Sequence, residues 1–225
     1  MFTYVEKRHG VNFPEAVEHV ADAAGVLLPD TYTPRARPLP SPLPPPAKAA
    51  PVKADDWRPM VPPPPEAPLP TNAQLHCDKL HSYHGPKGKL LFYVRRVEAK
   101  GEERKKFLPL TYGSLNGRLG WHERMPDAPR PLYGLDRLAA RPNAPVMICE
   151  GEKAADAGQW LFPDRVCVSW PGGSDAVEKA DWGPLIGQRT DKAVWPDNDP
   201  GGHKAAAKVA ALLPGARLLR VDDLY

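Results

Sequence analysis

The stretch VMICEGEKAAD, residues 146–156, decides the fold. Val146 to Cys149 form an uninterrupted apolar run of the kind a fully buried strand needs, and the run stops on Glu150, Gly151 and Glu152 before an alanine-rich segment begins. The same punctuation recurs downstream. VCVSW at 166–170 precedes the loop PGGS, KAVWPDND at 192–199 precedes GGHKAAAKVAALL, and ARLLRV follows. Helices are expected from Glu152 to about Trp160, from the PGGS loop toward Ile186, and over GGHKAAAKVAALL. Strands alternating with helices at this spacing imply an α/β fold, a parallel sheet with helices on both faces. The carboxyl ends of parallel strands share one crevice, so Glu150, Asp197 and Asp199 are expected to converge there.

Each acid also has a plainer role. Asp199 precedes Pro200 and a helix whose Ala205, Val209 and Leu212 share a face, which is the pattern of an N-cap with proline in the first turn. Glu150 before Gly151 fits an ordinary turn, and Asp197 fits the solvent end of a strand. Desolvated together without a cation, three acids would repel by several kcal/mol, so Mg²⁺ (or Mn²⁺) is the economical expectation for this edge. Lys153, one turn into the first helix, is a candidate phosphate contact or a solvated lysine. Gly172 and Gly173 are candidates to cradle an anion at a helix start, or simply turn residues.

Upstream, KLLFYVRRVE, the turn AKGEE and RKKFLPL read as a β-hairpin with Gly101 in the turn. Between Lys79 and Lys106 nine Lys or Arg stand against three Glu, an excess of +6 in a chain whose net charge is +3. Lys87, Lys89, Arg95, Lys100, Arg104, Lys105 and Lys106 are therefore candidate nucleic-acid contacts, with a solvated hairpin as the alternative. His76, Cys77, His81 and His84 lack the paired arms of a structural zinc site, and zinc is not expected.

Four parts are expected in the 225 residues: a capped helical segment at 1–30, a Pro-rich linker at 31–72, a β-rich nucleic-acid-binding subdomain at 73–142, and the parallel-sheet domain at 143–225. The linker expectation rests on 15 prolines between Pro34 and Pro70. Cys77, Cys149 and Cys167 are an odd number at wide spacing, and Cys149 and Cys167 sit in apolar runs, as reduced thiols do. No run is long enough to span a membrane, and a cytoplasmic location is expected.

The strings PVMICEGEKAADA, SWPGGSDAV and AVWPDNDPGGHKAA, with Glu-Gly closing one strand and an Asp-x-Asp closing another, resemble the Toprim domain of phage- and plasmid-type primases. YHGPKGKLLFYVRR is similar to the region before Toprim in those proteins, and NFPEAVEHVADAAGV to the last helix of the primase zinc-binding domain. That zinc module is expected to be truncated, because only MFTYVEKRH precedes residue 10, and no GxxxxGK[ST] helicase loop occurs. The resemblance implies a DNA primase-like nucleotidyltransferase acting on a single-stranded DNA template and nucleotides in phage, plasmid or host replication, with a replicative helicase as a candidate partner. Glu150 would then be the general acid or base, and Asp197 and Asp199 the metal holders. A Toprim nuclease and a non-catalytic DNA-binding or replisome adaptor are the alternatives.

Overall fold

A computed structural model describes residues 55–99, 101, 104–187 and 191–220. The expected N-terminal helix, the linker before Asp55, and Lys100 lie outside the described residues.

The parallel sheet forms as the apolar runs require. Strands β6 (Val146–Cys149), β7 (Val166–Ser169), β8 (Lys192–Trp195) and β9 (Ala216–Leu218) pair in the order β7-β6-β8-β9. All four residues of β6 and all four of β7 are buried, which explains why neither run alternates. Burying a side chain such as Ile148 or Val168 contributes about 1.5–3 kcal/mol. Helix α3 (Glu152–Leu161) connects β6 to β7, and helix α4 (Pro200–Leu212) connects β8 to β9 in the opposite direction along the sheet. With right-handed crossovers these helices lie on opposite faces.

The connection from β7 to β8 differs from expectation. In place of a helix there are two 3₁₀ turns, Ser174–Lys179 and Gly183–Leu185. Asp181, Trp182, Gly183 and Pro184 interrupt the segment, and Pro184 suits only the first turn of a helix. The first turn packs against α4.

An antiparallel sheet precedes this layer: β1 (Trp57–Pro59), β2 (Lys79–His84), β3 (Leu90–Val97), β4 (Lys106–Leu115) and β5 (Arg118–His122). β4 pairs with β3 through its first half, up to Leu110, and with β1 and β5 through its second. The β3–β4 hairpin has Gly101 in its connection at φ 60°, a left-handed position that glycine adopts without strain. A four-residue helix α1 (Asn72–Leu75) carries a capping box between Thr71 and Gln74.

The linker expected through residue 72 does not extend past Asp55. Trp57 donates its indole N–H to the Met125 carbonyl at 3.3 Å, and Trp121 donates to the Pro68 carbonyl at 2.7 Å. β1 crosses Gly113 so closely that a Cβ there would lie 2.5 Å from the Arg58 carbonyl oxygen. Prolines need no N–H partner, so such a segment can lie along a sheet edge once aromatic anchors hold it.

One buried core crosses the boundary expected at residue 142. Tyr83, Phe92 and Val94 of the antiparallel sheet join Leu132, Val146, Ile148 and Val168. Helix α2 (Leu135–Ala140) contributes Leu135 and Leu138 to it. Tyr83 stacks on Phe92 with centroids 4.1 Å apart and donates its hydroxyl to Glu152 of α3 at 2.7 Å. Helix α3 therefore contacts both sheets. Among the described residues no helix is long and apolar enough to cross a membrane.

Candidate functional site at the carboxyl edge of the parallel sheet

β6 and β8 are neighbours in register, Cys149 opposite Trp195, and their following helices leave in opposite directions. Where two adjacent strands diverge in this way, the chain leaves a crevice at their carboxyl ends. Glu150 follows β6 directly, and Asp197 lies two residues beyond β8. The Ser174 hydroxyl donates to Oε1 of Glu150 at 2.7 Å, while Oε2 is buried without a hydrogen-bond partner. Burial first of all raises the Glu150 carboxyl above the usual carboxylate range. The charges of Asp197 and Asp199 add to this, against the lowering effects of the Ser174 bond and Lys105.

Asp199 is the N-cap of α4, its Oδ1 accepting the Gly202 N–H at 2.7 Å, with Pro200 in the first turn. Gly202 is required here: a Cβ would lie 2.5 Å from the Asp197 carbonyl oxygen, so only glycine lets the helix start fold back onto the end of β8. The acids feel one another electrostatically, yet they do not form a ready-made chelate. Among the described residues no three His, Cys, Asp or Glu side chains are gathered to hold one metal ion.

A cleft of about 700 Å³ opens in front of Glu150. It brings together Glu150, Lys153, Gly172, Gly173 and Asp197 with Lys105, while Asp199 stands outside its lining. Gly172 and Gly173 have φ 98° and 71°, and a Cβ on Gly172 would meet Ala176 at 2.8 Å. They are explained as turn residues, since the element they open is a six-residue 3₁₀ turn and not an α-helix with a summed dipole.

The far wall of the cleft is built by the antiparallel sheet: Val94 and Arg96 of β3, then Lys105 and Phe107. Side chains alternate along a strand, so Phe92, Val94 and Arg96 share the face turned to the core and cleft. Arg95 points the other way. It is buried and paired with Glu123, and so is not part of an open basic face. Lys106 opposes Val97 in the register and falls on the side away from Phe107. Lys87 and Lys89 are exposed at the β2–β3 turn, about 23 Å of strand away from Arg104 and Lys105 at the other end of β3. Among its described members the expected basic surface is thus two separate groups, and of these Lys105 alone reaches the cleft.

Sequence reasoning missed Arg96, Phe107, Met125, Trp170 and Ser174. Arg96 was legible from the alternation of Phe92 and Val94; Ser174 was not, because the 3₁₀ turn places it. Cys149, whose thiol is pushed up to about 12 chiefly by burial, is a packing group beside the site and not a nucleophile.

Behind the cleft lies a second polar cluster. Asp156 of α3 accepts from Arg137 at 2.7 Å and from the Tyr133 hydroxyl at 2.9 Å, and Nδ1 of the buried His81 is 3.6 Å from its other oxygen. His81 and His84 stand on opposite faces of β2, one buried in this cluster and the other partly exposed.

No protein-family model matches the chain, and no curated protein sequence matches it. Solved structures do. The chain is similar to the DnaG catalytic core, with a TM-score of 0.36 and 12% identity over 58% of this chain and 38% of that one. It is similar to the DnaG primase catalytic domain bound to ssDNA, with a TM-score of 0.37 and 12% identity over 62% and 41%. It is also similar to the E. coli primase catalytic core, with a TM-score of 0.37 and 10% identity over 62% and 42%. The chain spans about two fifths of the length of these structures.

Proposed function

We propose that this protein is a DNA primase-like Toprim nucleotidyltransferase of the phage and plasmid type, which extends primers on a single-stranded DNA template. The observation that carries the reading is Glu150: a carboxylate at the divergence of β6 and β8, with one oxygen held by Ser174, the other buried and unpartnered, and two more acids nearby. A carboxyl raised by burial and like charge is the kind of group that serves in proton transfer. Ser174 fixes the group's orientation through Oε1 and leaves Oε2 to hold the proton of a reacting hydroxyl.

Carboxylate oxygens are the donors a hard divalent cation takes, and the charges of Asp197 and Asp199 already bear on Glu150, although the three side chains would have to draw together to share one ion. Asp197 and Asp199, with Glu150 beside them, would hold Mg²⁺ or Mn²⁺, which supplies charge neutralisation at the attacking and leaving oxygens of phosphoryl transfer. Lys153 and Lys105 border the same cleft and would meet phosphate oxygens. The Gly172–Gly173 turn forms part of the rim.

The test is incubation of the protein with single-stranded DNA, labelled nucleotides and Mg²⁺, with and without a replicative helicase. Labelled oligomers that depend on Glu150 support the proposal. DNA cleavage without synthesis points to a nuclease using the same acids. Binding with neither reaction points to an adaptor.

A further inference from the structure

Phe107 is a large apolar side chain left nearly half open to solvent. It is 45% exposed on β4, opposite Arg96 of β3, and it lines the cleft in front of Glu150. Two cations flank its ring: the Arg96 guanidinium carbon lies 5.6 Å and the Lys105 ammonium 5.9 Å from the centroid. Arg96 is itself oriented by Glu98, which accepts from its Nε at 2.7 Å. Val94 and Met125 continue the apolar surface into the cleft, while Glu150 and Asp197 bound the other side.

A half-exposed aromatic ring with a Glu98-paired guanidinium and the exposed Lys105 ammonium over it complements a ligand that is flat, apolar on its faces and anionic at its edge, a base taking the place of the Lys105 chain on the ring. A nucleotide within a single strand has that composition, with base and phosphate one sugar apart. We infer that Phe107 is a stacking shelf for one base of a single-stranded nucleic acid, with Arg96 and Lys105 meeting the flanking phosphates. The shelf rests on the proposed nucleic-acid function but not on the chemistry at Glu150. Stacking on Phe is sequence-tolerant, because every base offers a π-face, whereas the two cations supply a salt-dependent contribution. Base and phosphate contacts are therefore separable by experiment.

The probes are a fluorescein-labelled oligothymidylate of about ten nucleotides and an abasic oligonucleotide of the same length, bound to the full chain and followed by anisotropy. Phe107→Ala should weaken oligothymidylate binding about 5- to 100-fold, leave abasic binding unchanged, and leave the salt slope unchanged because no charge is lost. Phe107→Trp should restore binding and Phe107→Leu should not, although Leu replaces the apolar packing. Equal binding of both probes by wild type and Phe107→Ala overturns the shelf, as does a loss of equal size on the two probes or full rescue by Leu. Absence of any oligonucleotide binding by the wild type overturns the shelf and the proposed function together. If Phe107 governs base binding but no nucleotide transfer occurs, the shelf stands and the assignment of transfer to Glu150 falls.

Discussion

Glu150 and Asp156 sit on either side of the first turn of α3, and their surroundings are opposite. Glu150 faces Asp197 and Asp199, keeps one buried oxygen without a partner, and is raised. Asp156 faces Arg137, Tyr133 and His81. Burial alone would raise it, but the nearby His81, the hydrogen bonds from Arg137 and Tyr133 and the Arg137 charge outweigh burial and hold it at about 2. One carboxylate is satisfied and ties α3 to β2 and to the segment around Tyr133. The other is placed beside like charge and left incomplete. A fold maintains such a difference at a cost, and the unsatisfied member is where chemistry is to be sought.

The sharpest way to break this contrast is to remove charge from each acid in turn. Glu150→Gln keeps shape and hydrogen-bonding reach but removes the proton-transfer group, so the rate of nucleotide transfer should fall by about 10² to 10⁴. Thermal stability should hold or rise, because a like charge leaves the sheet edge. The sign follows from linkage: the folded carboxyl is raised, so its ionisation opposes folding as pH rises above the unfolded value, and the Gln variant loses that dependence. Intact transfer with Gln at this position would reduce Glu150 to a turn residue. Loss of folding would make its carboxylate structural.

Asp197→Asn should give a smaller loss of transfer, part of which is recovered by raising the Mg²⁺ concentration, since a ligand charge is removed and the general acid or base remains. A titration of rate against Mg²⁺ for the two variants separates the roles. Identical metal dependence in both would show that Asp197 does no more than end a strand.

How far this contrast was legible beforehand depends on what kind of pattern carries it. The all-apolar runs VMIC and VCVS announce doubly buried strands, and parallel strands force Glu150 and Asp197 to one edge, so the acid side was readable from spacing alone. Asp199 with Pro200 was equally plain as a cap. The basic wall was not, because counting charges ignores parity: Arg95 and Arg96 are adjacent in sequence and face opposite ways. The proline-rich segment misled in a similar manner. Composition registers the prolines, while the anchors that fold them onto the sheet are the indoles of Trp57 and Trp121, each acting more than 50 residues along the chain. The Ser174–Glu150 and Tyr83–Glu152 bonds are long-range pairs with no local signal.

On the structural side of the comparison, Asp156→Asn leaves the Arg137 guanidinium facing a neutral amide and should destabilise the fold by about 1–3 kcal/mol without lowering activity per folded molecule. The pH dependence runs opposite to that of Glu150. A carboxylate lowered on folding stabilises the protein above its unfolded value near 3.8, and that contribution is lost as pH falls toward about 2. Its size is at most about 2 kcal/mol, and nearer 1 after solvent screening of a partly exposed group. Denaturant melts between pH 5 and pH 2 (roughly the span of the titration) should show this loss in the wild type and not in the Asn variant. A parallel decline in both would remove Asp156 from the account of acid stability.

The smallest expected effect sharpens the comparison on the basic wall, where two nearby cations are again given different tasks. Lys105 is exposed at the cleft, whereas Arg95 is buried against Glu123. If Lys105 meets a phosphate, Lys105→Ala should flatten the logarithmic salt dependence of single-strand binding by roughly 0.7, with stability unchanged because the group is solvated in the free protein. Arg95→Ala should do the reverse. It empties the buried volume that Arg95 fills, so the melting temperature falls while the salt slope of the remaining folded protein stays at the wild-type value. Charge alone does not distinguish the two residues, and a model in which the whole hairpin acts as an undirected positive field predicts equal slopes for both variants. Unequal slopes would show that strand parity, rather than the count of lysines and arginines, decides which cations a nucleic acid meets.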